Sequence, residues 1–182
     1  MADQPIIRLW MMQGLPGSGK TTQAVKLQRE LGDMHCKIVS CDSHFMRNGV
    51  YTFKQSKLTE YQARTNMELA IAMQRAVYNY PHFARDYTII VDACNILEAP
   101  LAIHFWLYKR LEQEYPSIPF EFDLIEPDTE WRYDPVECQK RSTQGSYELD
   151  DINRLSSTFT YNRNKNSYAR YRKPNHGPKT AK

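Results

Sequence analysis

The sequence predicts an α/β fold, a parallel sheet of four or five strands covered by helices on both faces, with ligands at the carboxyl ends of the strands. Three observations carry that expectation. The glycine-rich stretch GLPGSGKTTQA, Gly14 to Ala24, stands between an apolar run and an amphipathic segment. Short runs rich in β-branched residues alternate along the chain with segments of helical period. Two aspartates, Asp42 and Asp92, follow two of those runs.

Residues 6–13, IIRLWMMQ, show no helical period and are followed at once by Gly14 and then Pro16, which suits a buried parallel strand. The loop feeds a helix from about Lys20 to Leu31, with Ala24, Leu27 and Leu31 on one face and Gly32 past its end. KIVS at 37–40 reads as a second strand. The helical segment TEYQARTNMELAIAMQRAVYN comes next, where Thr59 and Gln62 resemble a capping box and Ala63, Met67, Ala70 and Ile71 share a face. YTIIVD at 87–92 is a third strand, and FEFDLIE at 120–126 alternates like a fourth. A helix from about Pro100 to Glu114 separates them. A chain of 182 residues buries one good core. The reading is a single domain over residues 1–161, with a mobile helical lid at about 134–150 and a flexible basic tail from 162 to 182.

With 41% hydrophobic and 25% charged residues the chain sits near the soluble globular average. Its apolar runs are too short to cross a membrane, and the start lacks the basic and long apolar regions of a signal peptide, so the expectation is a cytoplasmic protein with no membrane partner. Cys36, Cys41, Cys94 and Cys138 form no CxxC pair and no zinc spacing, and read as reduced thiols. The net charge of +3 hides an asymmetry. Beyond Asp151 lie eight basic residues and no acidic one; the other 16 of the 24 basic residues stand against all 21 acidic ones, a net of −5. Tyr161, Tyr168 and Tyr171, interleaved with that charge, are groups that stack on bases, so a nucleic-acid contact stands beside the plainer reading of a solvating tail.

Gly14, Gly19, Lys20 and Thr21 satisfy G-x-x-x-x-G-K-[ST], the P-loop pattern. Gly14, Pro16, Gly17, Ser18 and Gly19 let backbone N–H groups approach phosphate oxygens, and the helix start adds partial positive charge. Lys20 is placed to reach the β and γ phosphates, the Thr21 hydroxyl to bind Mg²⁺, and Thr22 to touch the α phosphate. The loop indicates ATP or another nucleoside triphosphate with Mg²⁺, and does not say whether the phosphate goes to water or to a hydroxyl. Asp92 fits a Walker-B-like position, holding Mg²⁺ directly or through water. Asp42 fits a general base that accepts the proton of an attacking hydroxyl; the alternative for both is a cap or turn aspartate. Arg141, after the fourth strand, could close over the phosphates or be a surface residue. His44 lies beside Asp42 in sequence and is a candidate to touch substrate. Trp131 and Trp106 read as core residues.

GLPGSGKTT, VSCDSHF, GVYTF, IIVDACN and IEPDTEWRYDPVECQKRSTQG together resemble the polynucleotide-kinase-type P-loop kinases, over about residues 7 to 155. The last segment is the most specific: it keeps Glu126, Pro127, Thr129, Trp131, Asp134, Pro135, Arg141 and Gly145, with Ser142 and Gln144 where Asn and His are common. The resemblance implies Mg-ATP as donor and phosphoryl transfer to a hydroxyl. It implies Lys20 and Thr21 at the phosphates and Mg²⁺, Asp42 as base, Arg141 as lid arginine, and Asp92 and Asn95 on the acceptor or metal side. Two departures bear on the acceptor. Ser43 replaces a second carboxylate, and Phe45 stands where phage polynucleotide kinase has an arginine that grips the acceptor nucleotide; Arg47 is the nearest substitute. The implied acceptor is a 5′-OH of DNA or RNA, or a hydroxymethyl group on a modified base in phage DNA, with a small-molecule kinase and a nucleotide-controlled binding module as the other readings.

Overall fold

The computed structural model describes residues 4–142 and 147–171. Four strands, β1 (Ile7–Met12), β2 (Cys36–Val39), β5 (Tyr87–Val91) and β6 (Phe120–Ile125), form a parallel sheet in the order β2-β5-β1-β6. Between β2 and β5 a short hairpin, β3 (Met46–Arg47) and β4 (Val50–Tyr51), turns at Asn48 and Gly49. Both turn residues have positive φ, which a two-residue hairpin loop of the I′ kind requires. The helices are α1 (Lys20–Leu31), α2 (Leu58–Asn79), α3 (Glu98–Glu114), α4 (Pro135–Arg141) and α5 (Leu149–Asn164).

Alternation along the strands divides the core. Ile7, Leu9 and Met11 of β1, with Ile89 and Val91 of β5, join the larger cluster, together with Leu69 and Met73 of α2, Leu101 and Leu111 of α3, and Phe159 of α5. Met12 and Ile90 point the other way and meet Ala24 of α1, with Leu27 and Leu31 packed alongside. One helix therefore covers one face and the rest crowd the other. Since α1 leaves β1 on one face and α3 leaves β5 on the opposite one, a crevice opens between two adjacent strands at their carboxyl ends. The loop at 14–19 and Asp92 both sit there.

Three expectations are corrected. On α2 the buried stripe is Tyr61, Thr65, Leu69, Met73, Ala76 and Val77, whereas Met67 is 66% and Ile71 45% exposed. Tyr61 belongs inside because Phe45 packs edge-on against it, with ring centroids 4.8 Å apart, and Thr65 hides its hydroxyl on the Tyr61 carbonyl at 2.8 Å. Thr59 and Gln62 form no capping box: the helix begins at Leu58, with Lys57 at the cap and no side-chain cap bond. Residues 162–171 are part of the domain rather than a tail. Tyr168 and Tyr171 are buried in the main cluster, and Asn162 and the Tyr168 hydroxyl both donate to the Ile96 carbonyl, at 3.3 and 2.7 Å. Of the three tyrosines read as base-stacking groups only Tyr161 is exposed. The rest of the expected tail, from Arg172 on, and Gln144 and Gly145 lie outside the described residues. The four cysteines are free thiols, and among the described residues no helix is long and apolar enough to cross a membrane.

The docked segment is testable by substitution. Tyr168→Ala removes a buried ring and is expected to cost about 3–5 kcal/mol in urea unfolding. Tyr168→Phe, which loses only the hydroxyl bond, is expected to cost about 1 kcal/mol. Equal and small losses for both would show that the segment contributes little to the core.

Candidate active site

The loop from Gly14 to Gly19 is held from outside by its carbonyl groups. Ser18 N–H and the Lys20 amine donate to the Leu15 carbonyl, at 3.1 and 2.6 Å. The Trp131 indole N–H donates to Gly17 O at 3.2 Å, the Thr129 hydroxyl to Ser18 O at 2.7 Å, and Gln23 N–H to Gly19 O at 2.9 Å. Gly14 N–H and Ser18 N–H are thus spent within the protein, and the N–H groups of the first turn of α1 are the ones that lack an intrahelical partner. Gly19 caps α1 at φ 97 with no side-chain cap bond, so it sets no side chain of its own against the helix N-terminus. Gly17 has φ 77, and a Cβ on it would overlap the Cys138 carbonyl oxygen; only glycine permits α4 to lie this close. The Cys138 thiol, pushed up to about 11 by burial, is inert packing at that contact.

The floor of the loop is stitched to the end of β5. Gly14 N–H donates to Cys94 O at 3.0 Å, the Gln13 side-chain amide to Asn95 O at 2.9 Å, and Asn95 Nδ2 to Met12 O at 2.7 Å. The resemblance implies Asn95 on the acceptor or metal side. It is instead buried with φ 47, and its amide fastens backbone to backbone.

Thr21 and Asp92 come together as expected: the exposed hydroxyl donates to Asp92 Oδ2 at 2.7 Å. Asp92 is only 5% exposed, and burial pushes its carboxyl above the ordinary aspartate range. The bond from Thr21 and the charge of Lys20 pull the other way, while the charge of Asp42 pushes it further up. A hydroxyl and a carboxylate in contact at the mouth of a phosphate loop are hard oxygen donors that fit Mg²⁺, which takes one or two carboxylates and completes its shell with water and phosphate. Among the described residues no group of three or more His, Cys, Asp or Glu could hold a metal without such help.

Asp42 lies in a 3₁₀ turn, Cys41–Phe45, that follows β2 and is capped by the Ser40 hydroxyl. Ser40 also donates to the Asp92 carbonyl at 3.1 Å, which ties the two strand ends together. The Tyr51 hydroxyl, carried by the hairpin, donates to Asp42 Oδ1 at 3.3 Å. Burial and the neighbouring Asp42 charge push the Tyr51 hydroxyl pKa upward. Tyr147 is pushed up to about 12, first by burial and then by the charges of Cys94 and Asp42. Neither tyrosine was singled out in the sequence as a site residue. The dipeptide Asn48-Gly49 was the available signal for the hairpin that brings Tyr51 in.

Of the remaining candidates, His44 faces α2: its ring lies 5.4 Å from that of Tyr61 and its Nε2 is 3.6 Å from Glu68 Oε1. Arg47 is exposed on the hairpin. Arg141, at the end of α4, lies with its guanidinium carbon 4.0 Å from the Trp131 ring centroid. Trp131, read from sequence as core, is therefore a site residue that touches both the loop and Arg141. Trp131 also packs against the main cluster, as read from sequence, whereas Trp106 is 61% exposed beside Arg110 and is not core.

A family model described as an AAA domain matches residues 9–145, more than half of the chain. Human NEDD4-binding protein 2 is 28% identical over 137 residues, 75% of this chain and 7% of that protein. In the structure of the Pnkp1/Rnl/Hen1 RNA repair complex, a chain aligns at TM-score 0.52 and 17% identity, over 90% of this chain and 47% of its own length. That likeness concerns the fold, a P-loop kinase fold. APS kinase of Mycobacterium tuberculosis aligns at TM-score 0.41 and 19% identity, over 78% of this chain and 71% of that one. The chain thus spans a small part of the curated relative and about half of the repair-complex chain.

The buried Asp92 gives a prediction with a sign. The folded state holds this proton more tightly than the unfolded chain, so the ionised carboxylate lowers stability, and the loss is relieved as pH falls through the raised value. Asp92→Asn keeps an acceptor for Thr21 and is expected to raise the Tm of nucleotide-free protein at pH 7 by roughly 2–4 °C for a gain of ~1 kcal/mol. The gain should shrink as pH is lowered towards about 4. Calorimetry across pH checks both parts, and an unchanged or lower Tm at pH 7 refutes the assignment.

Proposed function

The chain belongs to this family of AAA domains, and on that premise we propose that it is an ATP-dependent phosphotransferase carrying the γ-phosphate to a hydroxyl, with a polynucleotide 5′-OH as the leading acceptor. The observation that carries the reading is the second carboxylate. Asp42 comes from a different element than the donor loop, receives the Tyr51 hydroxyl, and is close enough for its charge to act on Asp92. Seating a triphosphate does not need such a group, whereas activating a hydroxyl acceptor does.

In this reading the N–H groups of the loop and Lys20 bind the β and γ phosphates, and Thr22 lies by the α phosphate. Thr21 and Asp92 would hold Mg²⁺, which when bound offsets the negative charge on the phosphates. The acceptor oxygen bonds to the γ phosphorus as the bond to the bridging oxygen breaks, ADP leaves, and the hydroxyl proton passes to Asp42. Arg141 neutralises charge on the transferring group. Arg47 on the exposed hairpin, and the excess of basic residues beyond Asp151, support a nucleic-acid acceptor. A hydroxymethyl group on a modified base would need the base flipped out of its stack or single-stranded.

One observation favours the small-molecule alternative. Tyr168 and Tyr171 are buried, and Arg163 and Arg170 face Glu126 and Glu98 at 3.6 and 3.8 Å, which leaves less of this region to grip a strand.

γ-Labelled ATP offered with 5′-OH DNA and RNA, single-stranded and duplex, and with nucleosides and small alcohols separates the readings. Label on a polynucleotide is expected. Label on small acceptors alone replaces the nucleic-acid reading, and label on none favours a nucleotide-controlled binding module. Asp42→Asn is expected to lower transfer by about 10²–10⁴ with ATP affinity nearly unchanged. Removal of residues 172–182 should flatten the salt dependence if their four basic residues, Arg172, Lys173, Lys179 and Lys182, meet phosphates.

A further inference from the structure

We infer that Trp131 is a positioning residue that locks the donor loop to Arg141, so that the arginine is held at the phosphates before any nucleotide arrives; this rests on the phosphotransferase reading above. Three separate parts of Trp131 are engaged. Its indole N–H donates to Gly17 O at 3.2 Å. Its ring face carries the Arg141 guanidinium at 4.0 Å. Its carbonyl accepts from Asp134 N–H at 2.9 Å and from the Cys138 thiol at 3.4 Å, which fixes the start and middle of α4 to the same residue.

The consequence is geometric. Arg141 is 49% exposed at its side chain, and its other partner, Glu137 Oε2 at 3.4 Å, lies on its own helix. Without the ring, a long side chain at the end of a seven-residue helix would sample solvent, and ordering it would be part of the barrier. With the ring, one indole serves both partners, its face carrying the guanidinium and its N–H holding Gly17 O. A planar, weakly hydrated cation suits that perch, because it keeps its in-plane N–H groups for oxygen ligands while its face rests on the ring. Gly17 completes the arrangement: any side chain there would push α4, and with it Arg141, off the loop.

Trp131→Leu, Trp131→Phe, Arg141→Ala and the double variant Trp131→Leu/Arg141→Ala test the inference. Each is assayed for kcat, for KM of ATP, and for the affinity of ADP with aluminium fluoride, a probe that depends on ligands of the transferring phosphoryl group but not on turnover. Trp131→Leu is expected to lower kcat by about 10²-fold, the scale of a misplaced catalytic group, with KM for ATP changed only a few-fold. The double variant should be no worse than Arg141→Ala, and Trp131→Phe, which keeps the ring face but loses the N–H on Gly17 O, should recover part of the loss. Multiplying effects in the double variant overturn the inference, as does a phenylalanine variant as impaired as leucine, or a Trp131→Leu protein that has lost ATP affinity or its fold. If the unaltered chain phosphorylates no acceptor, the transferase reading fails by itself, and the same four-variant pattern in ADP–aluminium fluoride affinity still decides the role of Trp131. An unaltered chain that binds no nucleotide overturns both.

Discussion

The site depends on a loop whose carbonyl groups are claimed from outside. Lys20 and Ser18 N–H take Leu15 O, Trp131 takes Gly17 O, Thr129 takes Ser18 O, and Gln23 N–H takes Gly19 O. Each occupied carbonyl fixes the peptide that carries it, and with it the direction of the neighbouring N–H group. Two of those donors come from the 129–131 segment, more than a hundred residues further along the chain. The segment after β6 is thus part of the phosphate loop's structure, and a change in Thr129 or Trp131 reaches the loop directly.

The sheet order explains why these parts meet. β1 lies between β5 and β6, so the loop after β1 is flanked by Asp92 from one neighbour and by the 126–131 segment from the other. Asn95 and Gln13 close the β1–β5 side with side-chain amides that donate to backbone carbonyls. Asp42 arrives from β2 one strand further out, joined to the end of β5 through Ser40. The loop, Asp92 and Asp42 in this way follow neighbouring strand ends, and their separation is set by strand spacing more than by any flexible connection.

Much of this was legible in the chain. The P-loop pattern, the four strands and the two aspartates at strand ends follow from residue type and spacing, because a tight phosphate turn and a buried parallel strand leave few choices of residue. What was missed has a physical reason in each case. Trp131 and Thr129 act on backbone groups distant in sequence, and no local pattern announces that. Tyr168 and Tyr171 sit among Arg and Lys, which looks like a nucleic-acid tail, yet their rings fill the core while Arg170 between them stays exposed. The face of α2 was misassigned because hydrophobic class was weighed above position: Tyr61 and Thr65 lie on the buried stripe, while Met67 and Ile71, the more apolar residues, face solvent. Asn95 was assigned by resemblance to the acceptor, where geometry gives it the loop floor.

The electrostatics of the mouth argue that the two halves are coupled. Asp92 is buried with little water to stabilise its charge, and Asp42 adds to the strain because like charges at neighbouring strand ends repel. Lys20 relieves part of this, but its amine also serves the Leu15 carbonyl. A divalent cation at Thr21 and Asp92 would remove the penalty on Asp92 and, through the same field, the repulsion from Asp42.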